Sequence, residues 1–151
     1  MMDGLLALLL TCAPMVHPET SMRLVKHESG GHPYAVNING LYRLSHQPQN
    51  KVAAIIVTKQ LLQMGVSVDV GLAQINSRNF RMLGLTVESA FEPCTNVQAM
   101  QTVLLSSYNK AKLKHQDEQV SLRAALSEYN TGNQVAGLKN GYVDKVYRTT
   151  P

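Results

Sequence analysis

The sequence predicts a mostly helical α+β domain with at most one small β element. Three observations predict it. Apolar residues recur at helical spacing in several segments, each closed by glycine or proline. Strict alternation is confined to Val66-Ser67-Val68-Asp69-Val70. The chain has 151 residues, 44% hydrophobic and 16% charged, enough for one core and few for two. Residues 1–151 therefore read as a single domain, without internal repeat, low-complexity block or linker.

The first segment, MMDGLLALLLTCAP, reads as an amphipathic helix ending near Pro14. Leu5 to Leu10 also resembles the apolar part of a secretory signal, but the flank lacks Lys and Arg, carries Asp3, and the apolar stretch is short. Pro18 starts a second helix, with Glu19 and Thr20 in its first turn. Met22, Leu24 and Val25 form its apolar face, Gly30-Gly31 stop it, and Pro33 prevents its resumption. Glu28 then falls in the last turn, on or near that apolar face. Residues 34–50 are polar and turn-rich, a connecting excursion or small sheet.

From Lys51 to Met64 the stripe Val52, Ile55, Ile56, Lys59, Leu62 predicts a helix ended by Gly65. After the extended stretch at Val66–Val70, Gly71–Asn76 is expected to lead into a short helix closed by Gly84. Thr95 or Asn96 is expected to cap a long helix running through Val103, Leu104 and Tyr108 to about Leu113. Ser121 is expected to cap the next, with Leu122, Ala125, Leu126 and Tyr129 on one face and Asn130 and Gly132 at its end. Tyr142, Val143, Val146 and Tyr147 form a last short helix.

Composition excludes several function classes. The net charge of +4 is modest, and Lys110, Lys112 and Lys114 lack interleaved aromatics, so no nucleic-acid partner is indicated. No apolar run approaches the roughly 20 residues of a membrane span. Cys12 and Cys94 have no CxxC or His-rich context, which argues against zinc and leaves open two thiols or one long-range disulfide. His27-Glu28 with His32 is not a zinc-protease motif, because the histidines are five apart with Gly30-Gly31 between them. Neither a GxSxG nor a GxxxxGK pattern occurs, and no metal or cofactor is expected. With no Trp, two Phe and six Tyr, any stacking surface for sugars or bases falls to tyrosine.

Glu28 breaks the pattern of its helix. It reads either as an exposed last-turn Glu or as a carboxylate partly buried or swung into a cleft, where desolvation would raise its pKa toward that of a general acid working near neutrality. It also sits badly against the negative end of the helix dipole.

Glu28-Ser29-Gly30, Gly71-Leu72-Ala73-Gln74-Ile75-Asn76, Ala125–Gly132 and Tyr142-Val143, in that order across nearly the whole chain, resemble the soluble lytic transglycosylase domain. Cys12-Ala13-Pro14, His17-Pro18, Pro33-Tyr34-Ala35, Asp69–Leu72 and Phe91–Asn96 look most like the VirB-type transglycosylase subunits of type IV secretion systems. The resemblance implies a goose-type lysozyme-like fold around a glycan cleft, and cleavage of peptidoglycan between N-acetylmuramic acid and N-acetylglucosamine. It implies Glu28 as the single catalytic acid and then base, closing a 1,6-anhydromuramyl ring. Ser29, Gly71, Gln74, Asn76, Tyr129, Asn130 and Tyr142 become expected substrate-binding positions, with Tyr129 and Tyr142 the stacking candidates. Ala73 and Thr131 depart from the family's usual Met and Ala. Asp69 is expected to support the loop before Gly71, with catalytic assistance as the alternative.

The resemblance also implies a Cys12–Cys94 bridge, an oxidising periplasmic location, and other secretion subunits as partners. In the chain-entropy account such a bridge contributes about 4 kcal/mol. Two other readings stand beside it: a lysozyme-type hydrolase with Asp69 positioning water, and a peptidoglycan-binding scaffold.

Overall fold

Residues 2–40 and 42–151 are described by a computed structural model, in which helices supply nearly all the regular structure. Helix α1 (Met2–Cys12) lies against α2 (Pro18–Ser29) and against the long α6 (Pro93–Lys112). Leu9, Cys12, Leu24, Val25, Val97, Met100 and Leu104 are buried where they meet. Helix α7 (Glu118–Thr131) packs along α6, and α9 (Tyr142–Arg148) closes the other side of α2 and α7. The disulfide Cys12–Cys94, with Cα atoms 5.4 Å apart, ties the end of α1 to the first turn of α6.

The β element is a three-stranded antiparallel sheet, β1 (Val36–Ile38), β2 (Val68–Val70) and β3 (Ile75–Asn76), in that order. Its register pairs Asn37 with Asp69 and Asp69 with Asn76. Alternation then does two jobs at once. Val36, Val68, Val70 and Ile75 turn inward and are buried, while Asn37, Asp69 and Asn76 share the opposite face.

Several elements differ from expectation. In α3 (Lys51–Gln63) the buried face is Ala54, Thr58 and Leu61, whereas Val52 and Ile56 are exposed. The stripe is thus only half right: Ile55 and Leu62 pack against the core, while Val52, Ile56 and Lys59 face outward and the smaller Ala54 and Thr58 take the buried positions. Helix α6 is not capped by Thr95 or Asn96. Pro93 takes its first helical position behind Glu92, and Asn96 points inward. The cap of α7 is Asp117, whose side chain accepts from the Val120 amide; Ser121 lies inside the helix and bonds the His115 carbonyl.

The segment after Gly71 does not pass straight into a helix. Ile75-Asn76 first add the third strand, and a single 3-10 turn (Ser77–Asn79) then leads to α4 (Phe80–Leu83), closed by Gly84. Two further short helices, α5 (Val87–Ala90) and α8 (Ala136–Lys139), were not anticipated. No helix among the described residues is long and apolar enough to cross a membrane.

Candidate active site

A cleft of about 330 Å³ opens between the polar face of the sheet, the last turn of α2 and the C-terminal half of α7. Its wall includes Glu28, Asn39, Asp69, Gln74, Asn76, Arg78, Tyr129 and Asn130. A larger cavity, about 600 Å³, lies between the start of α2, α6 and α7, lined by Met15, Arg23, Leu104, Tyr108 and Tyr147. It contains none of the expected site residues.

Glu28 reaches the cleft because α2 stops just beyond it. Gly30 adopts a left-handed conformation (φ 65°) and its amide closes the helix on the Lys26 carbonyl. The residue is partly exposed, but its carboxyl is withdrawn from water. Burial pushes it up to about 7; a hydrogen bond from Tyr142 opposes that rise, and the negative charge of Asp69 adds to it.

Tyr142 lies at the start of α9. Its amide is fixed by the Asn140 side chain at 2.8 Å, its ring meets the edge of His27 at 5.2 Å between centroids, and its hydroxyl donates to Glu28 Oε2 at 2.5 Å. Burial and the neighbouring carboxylate hold the phenol well above its ordinary range, so it keeps its proton and can donate it to Glu28. The ring itself is buried, which leaves it no open face for a sugar.

Asp69 faces the same cleft from the middle strand. Asn39 donates to its Oδ2 at 2.7 Å and Asn76 to its Oδ1 at 2.9 Å, while Asn76 also bonds Asn39 at 2.8 Å. Burial raises the Asp69 pKa; the two amides and the positive charge of Arg78 counter it. The triad is closed on itself, and Asn76 further uses its oxygen to fix the Arg78 amide at 2.9 Å. Asn39 escaped the sequence reading because Asn-Gly looks like a turn. Its two-residue spacing from Asn37 was the available sign of a strand's polar face.

Gln74 is the one non-glycine residue among those described with a left-handed backbone (φ 54°). Its amide group donates to the Ala35 and Gly71 carbonyls, and its oxygen accepts from Asn37 at 2.7 Å. These three bonds hold the strained turn that aims β3 along the cleft. Tyr129 donates to the Ala73 carbonyl at 2.7 Å, so its hydroxyl is occupied while its ring borders the cleft. Asn130 is exposed on the rim, and its oxygen accepts from Asn140 at 3.2 Å.

Two expected positions sit elsewhere. Ser29 donates to the Val25 carbonyl and accepts from the Gly31 amide, satisfying the helix end. Gly71 is buried, and the close approach it permits is by Asn96: a Cβ there would stand 2.3 Å from Asn96 Nδ2. Asn96 in turn holds Ala73 N, Val70 O and Ala90 O, locking the Gly71–Gln74 turn to α6. Sequence reasoning saw only a cap in Asn96. His32 bonds the Pro48 carbonyl at 3.0 Å, and no three His, Cys, Asp or Glu side chains converge as metal ligands among the described residues.

The arrangement offers one protonatable acid at neutral pH, one donor that steadies its anion, and a second carboxylate masked by amides. That is equipment for single-residue acid–base work on a bond lying in the cleft.

Comparison with known proteins adds three findings. The Transglycosylase SLT domain matches residues 8–147. Protein virB1 of Agrobacterium fabrum (strain C58 / ATCC 33970) is 44% identical over 135 residues, covering 89% of this chain and 54% of that protein. Type IV secretion system protein virB1 of Brucella abortus biovar 1 (strain 9-941) is 38% identical over 141 residues, covering 89% of this chain and 59% of that protein. The chain thus spans a little over half the length of these relatives. No solved structure matches it.

Proposed function

Because this chain belongs to the Transglycosylase SLT domain family, we propose that it is a peptidoglycan lytic transglycosylase that opens the wall for a type IV secretion apparatus. The observation that carries the reading is Glu28: a carboxyl at the cleft wall with its pKa raised to about 7, its anion met by the Tyr142 hydroxyl. Protonated Glu28 gives its proton to the oxygen linking N-acetylmuramic acid to N-acetylglucosamine, and the glycosidic bond breaks. The Glu28 carboxylate then takes the proton of the muramyl C6 hydroxyl as that oxygen bonds to C1. The ring closes as a 1,6-anhydro sugar, Glu28 is again protonated, and no water is consumed. An intramolecular hydroxyl already has a high effective concentration, so no second carboxylate is required to activate a nucleophile.

The other cleft residues take supporting roles. Asn130 and the Tyr129 ring contact the glycan, while Gln74 and Asn76 shape the floor through their internal bonds. Ser29 and Gly71 serve the site through the backbone they stabilise. The Cys12–Cys94 bridge suits an oxidising compartment and supports a periplasmic location.

The test is product mass from purified sacculi. Wild type is expected to release 1,6-anhydromuropeptides and Glu28→Gln none. Reducing muramyl ends instead would make it a hydrolase using Asp69 to hold water. Sacculus binding without any product from wild type would leave a scaffold.

A further inference from the structure

The cleft's electrostatics leave one group unused by the mechanism. Of its acids, Glu28, raised to about 7, keeps its proton about half the time at neutral pH, Asp69 is masked by Asn39 and Asn76, and Glu128 is paired with Lys110 at 2.5 Å. Arg78 is the only cation in the cleft wall among the described residues. It is exposed, and its guanidinium makes no hydrogen bond or ion pair with any described residue, although other arginines do: Arg23 with Glu19, Arg123 with Asp144. Its position is nevertheless built. The Arg78 backbone amide donates to Asn76 Oδ1, and Asn76 is locked to Asp69 and Asn39 on the sheet. A guanidinium on a fixed turn, with its donors open to the cleft, presents a planar fork matched to a carboxylate.

Resting on the glycan-cleaving reading, we infer that Arg78 is a specificity residue that binds a carboxylate carried on the muramyl side of the substrate. On an intact strand that group belongs to the stem peptide; on a strand stripped of peptide it is the lactyl carboxylate. Arg78 thereby orients the muramyl unit along the cleft and favours acid-bearing glycan over a neutral polymer of the same backbone. The alternative role, acting only on Asp69 through its charge, would affect every glycan equally.

The test measures binding in the Glu28→Gln background, where no cleavage interferes. Three probes are compared: intact sacculi, amidase-stripped glycan strands, and chitin oligosaccharides, which carry no carboxylate. Arg78→Gln is expected to weaken sacculus binding about fivefold, with no change on chitin oligosaccharides, and Arg78→Lys to restore part of the loss. A loss on sacculi alone assigns the peptide carboxylate, and a loss on stripped strands as well shows that Arg78 also takes the lactyl carboxylate that stripping exposes. Arg81→Gln, which removes an exposed neighbouring charge outside the cleft wall, is expected to leave all three unchanged. Equal loss on chitin oligosaccharides, no loss on any probe, or an equal loss from Arg81→Gln overturns the inference. Failure of wild type to release product from sacculi would sink the proposed activity separately, while the binding comparison still decides Arg78.

Discussion

Tyr142 donates its hydroxyl proton to Glu28 Oε2 at 2.5 Å, joining residues 114 positions apart in the chain. The bond favours the charged form of Glu28, and burial favours the neutral one. A value near 7 is their balance. Tyr142→Phe removes only the donor, so the Glu28 pKa rises further, by about one unit for a hydrogen bond to a charged group. The alkaline limb of product release, which reports loss of the general-acid proton, should move to higher pH. A pH–rate profile on sacculi checks this; an unmoved limb would mean that Tyr142 does not act on the carboxyl.

Asp69 pushes Glu28 in the same direction as burial, through its negative charge. Asp69→Asn removes that charge, so the Glu28 pKa falls and the alkaline limb moves to lower pH, opposite to the effect of Tyr142→Phe. The products should remain 1,6-anhydro sugars, because the masked Asp69 is not needed to activate water. A switch or loss of anhydro ends by mass would place Asp69 in the chemistry.

The raised pKa of Glu28 is also a statement about stability. Its folded value of about 7 lies above the ordinary 4.5, so between those values the folded state holds the proton more tightly than the unfolded chain. Stability from this group is therefore full below 4.5 and falls as pH climbs toward 7, by up to about 3 kcal/mol. Glu28→Gln has no such penalty. Urea midpoints should show wild type losing ground to the variant between pH 5 and pH 8, and a constant gap across that range would contradict the buried carboxyl.

Glu28 was legible in the sequence because it violates a local rule, a carboxylate on an apolar face two residues before a glycine stop. Asp69 was legible as an outward residue between inward valines. What alternation cannot show is the partner strand. Two-residue β3 exists only through its register with β2, and with it come the Asn39–Asp69–Asn76 triad and the placement of Arg78. Asn96 misled for a related reason. Asn near a helix start is an ordinary cap, but Pro93 moves the helix start upstream and turns the amide inward, toward partners as distant as Val70. In α3 the burial of Ala54 and Thr58 beside exposed Val52 and Ile56 is set by which face meets α5 and β2, which hydropathy does not encode.

The Cys12–Cys94 bridge closes a loop spanning 82 positions. In the chain-entropy account its loss frees the unfolded chain and costs about 4 kcal/mol. Chemical denaturation with and without reductant should show a large fall in the midpoint. A Cys12→Ala/Cys94→Ala variant should match the reduced protein and become indifferent to reductant. A wild-type midpoint that reductant leaves unchanged under conditions that open the bridge would remove the disulfide from the fold's support.

Gly71 and Asn96 form one unit, and their substitutions should not add. Gly71→Ala meets two penalties: a left-handed backbone at φ 78°, and a Cβ 2.3 Å from Asn96 Nδ2. Asn96→Ala leaves Ala73 N, Val70 O and Ala90 O without their buried partner, at a cost of about 2–4 kcal/mol. Once the amide is gone, however, the space that Cβ71 would occupy is vacated. The double variant should therefore be more stable than the sum of the single losses predicts, by about 1 kcal/mol or more. The backbone penalty at Gly71 persists in both backgrounds and cancels from the cycle. Urea denaturation of the four proteins measures the coupling. A coupling near zero would mean that the turn carrying Gln74 is not held by direct packing of Asn96 against Gly71.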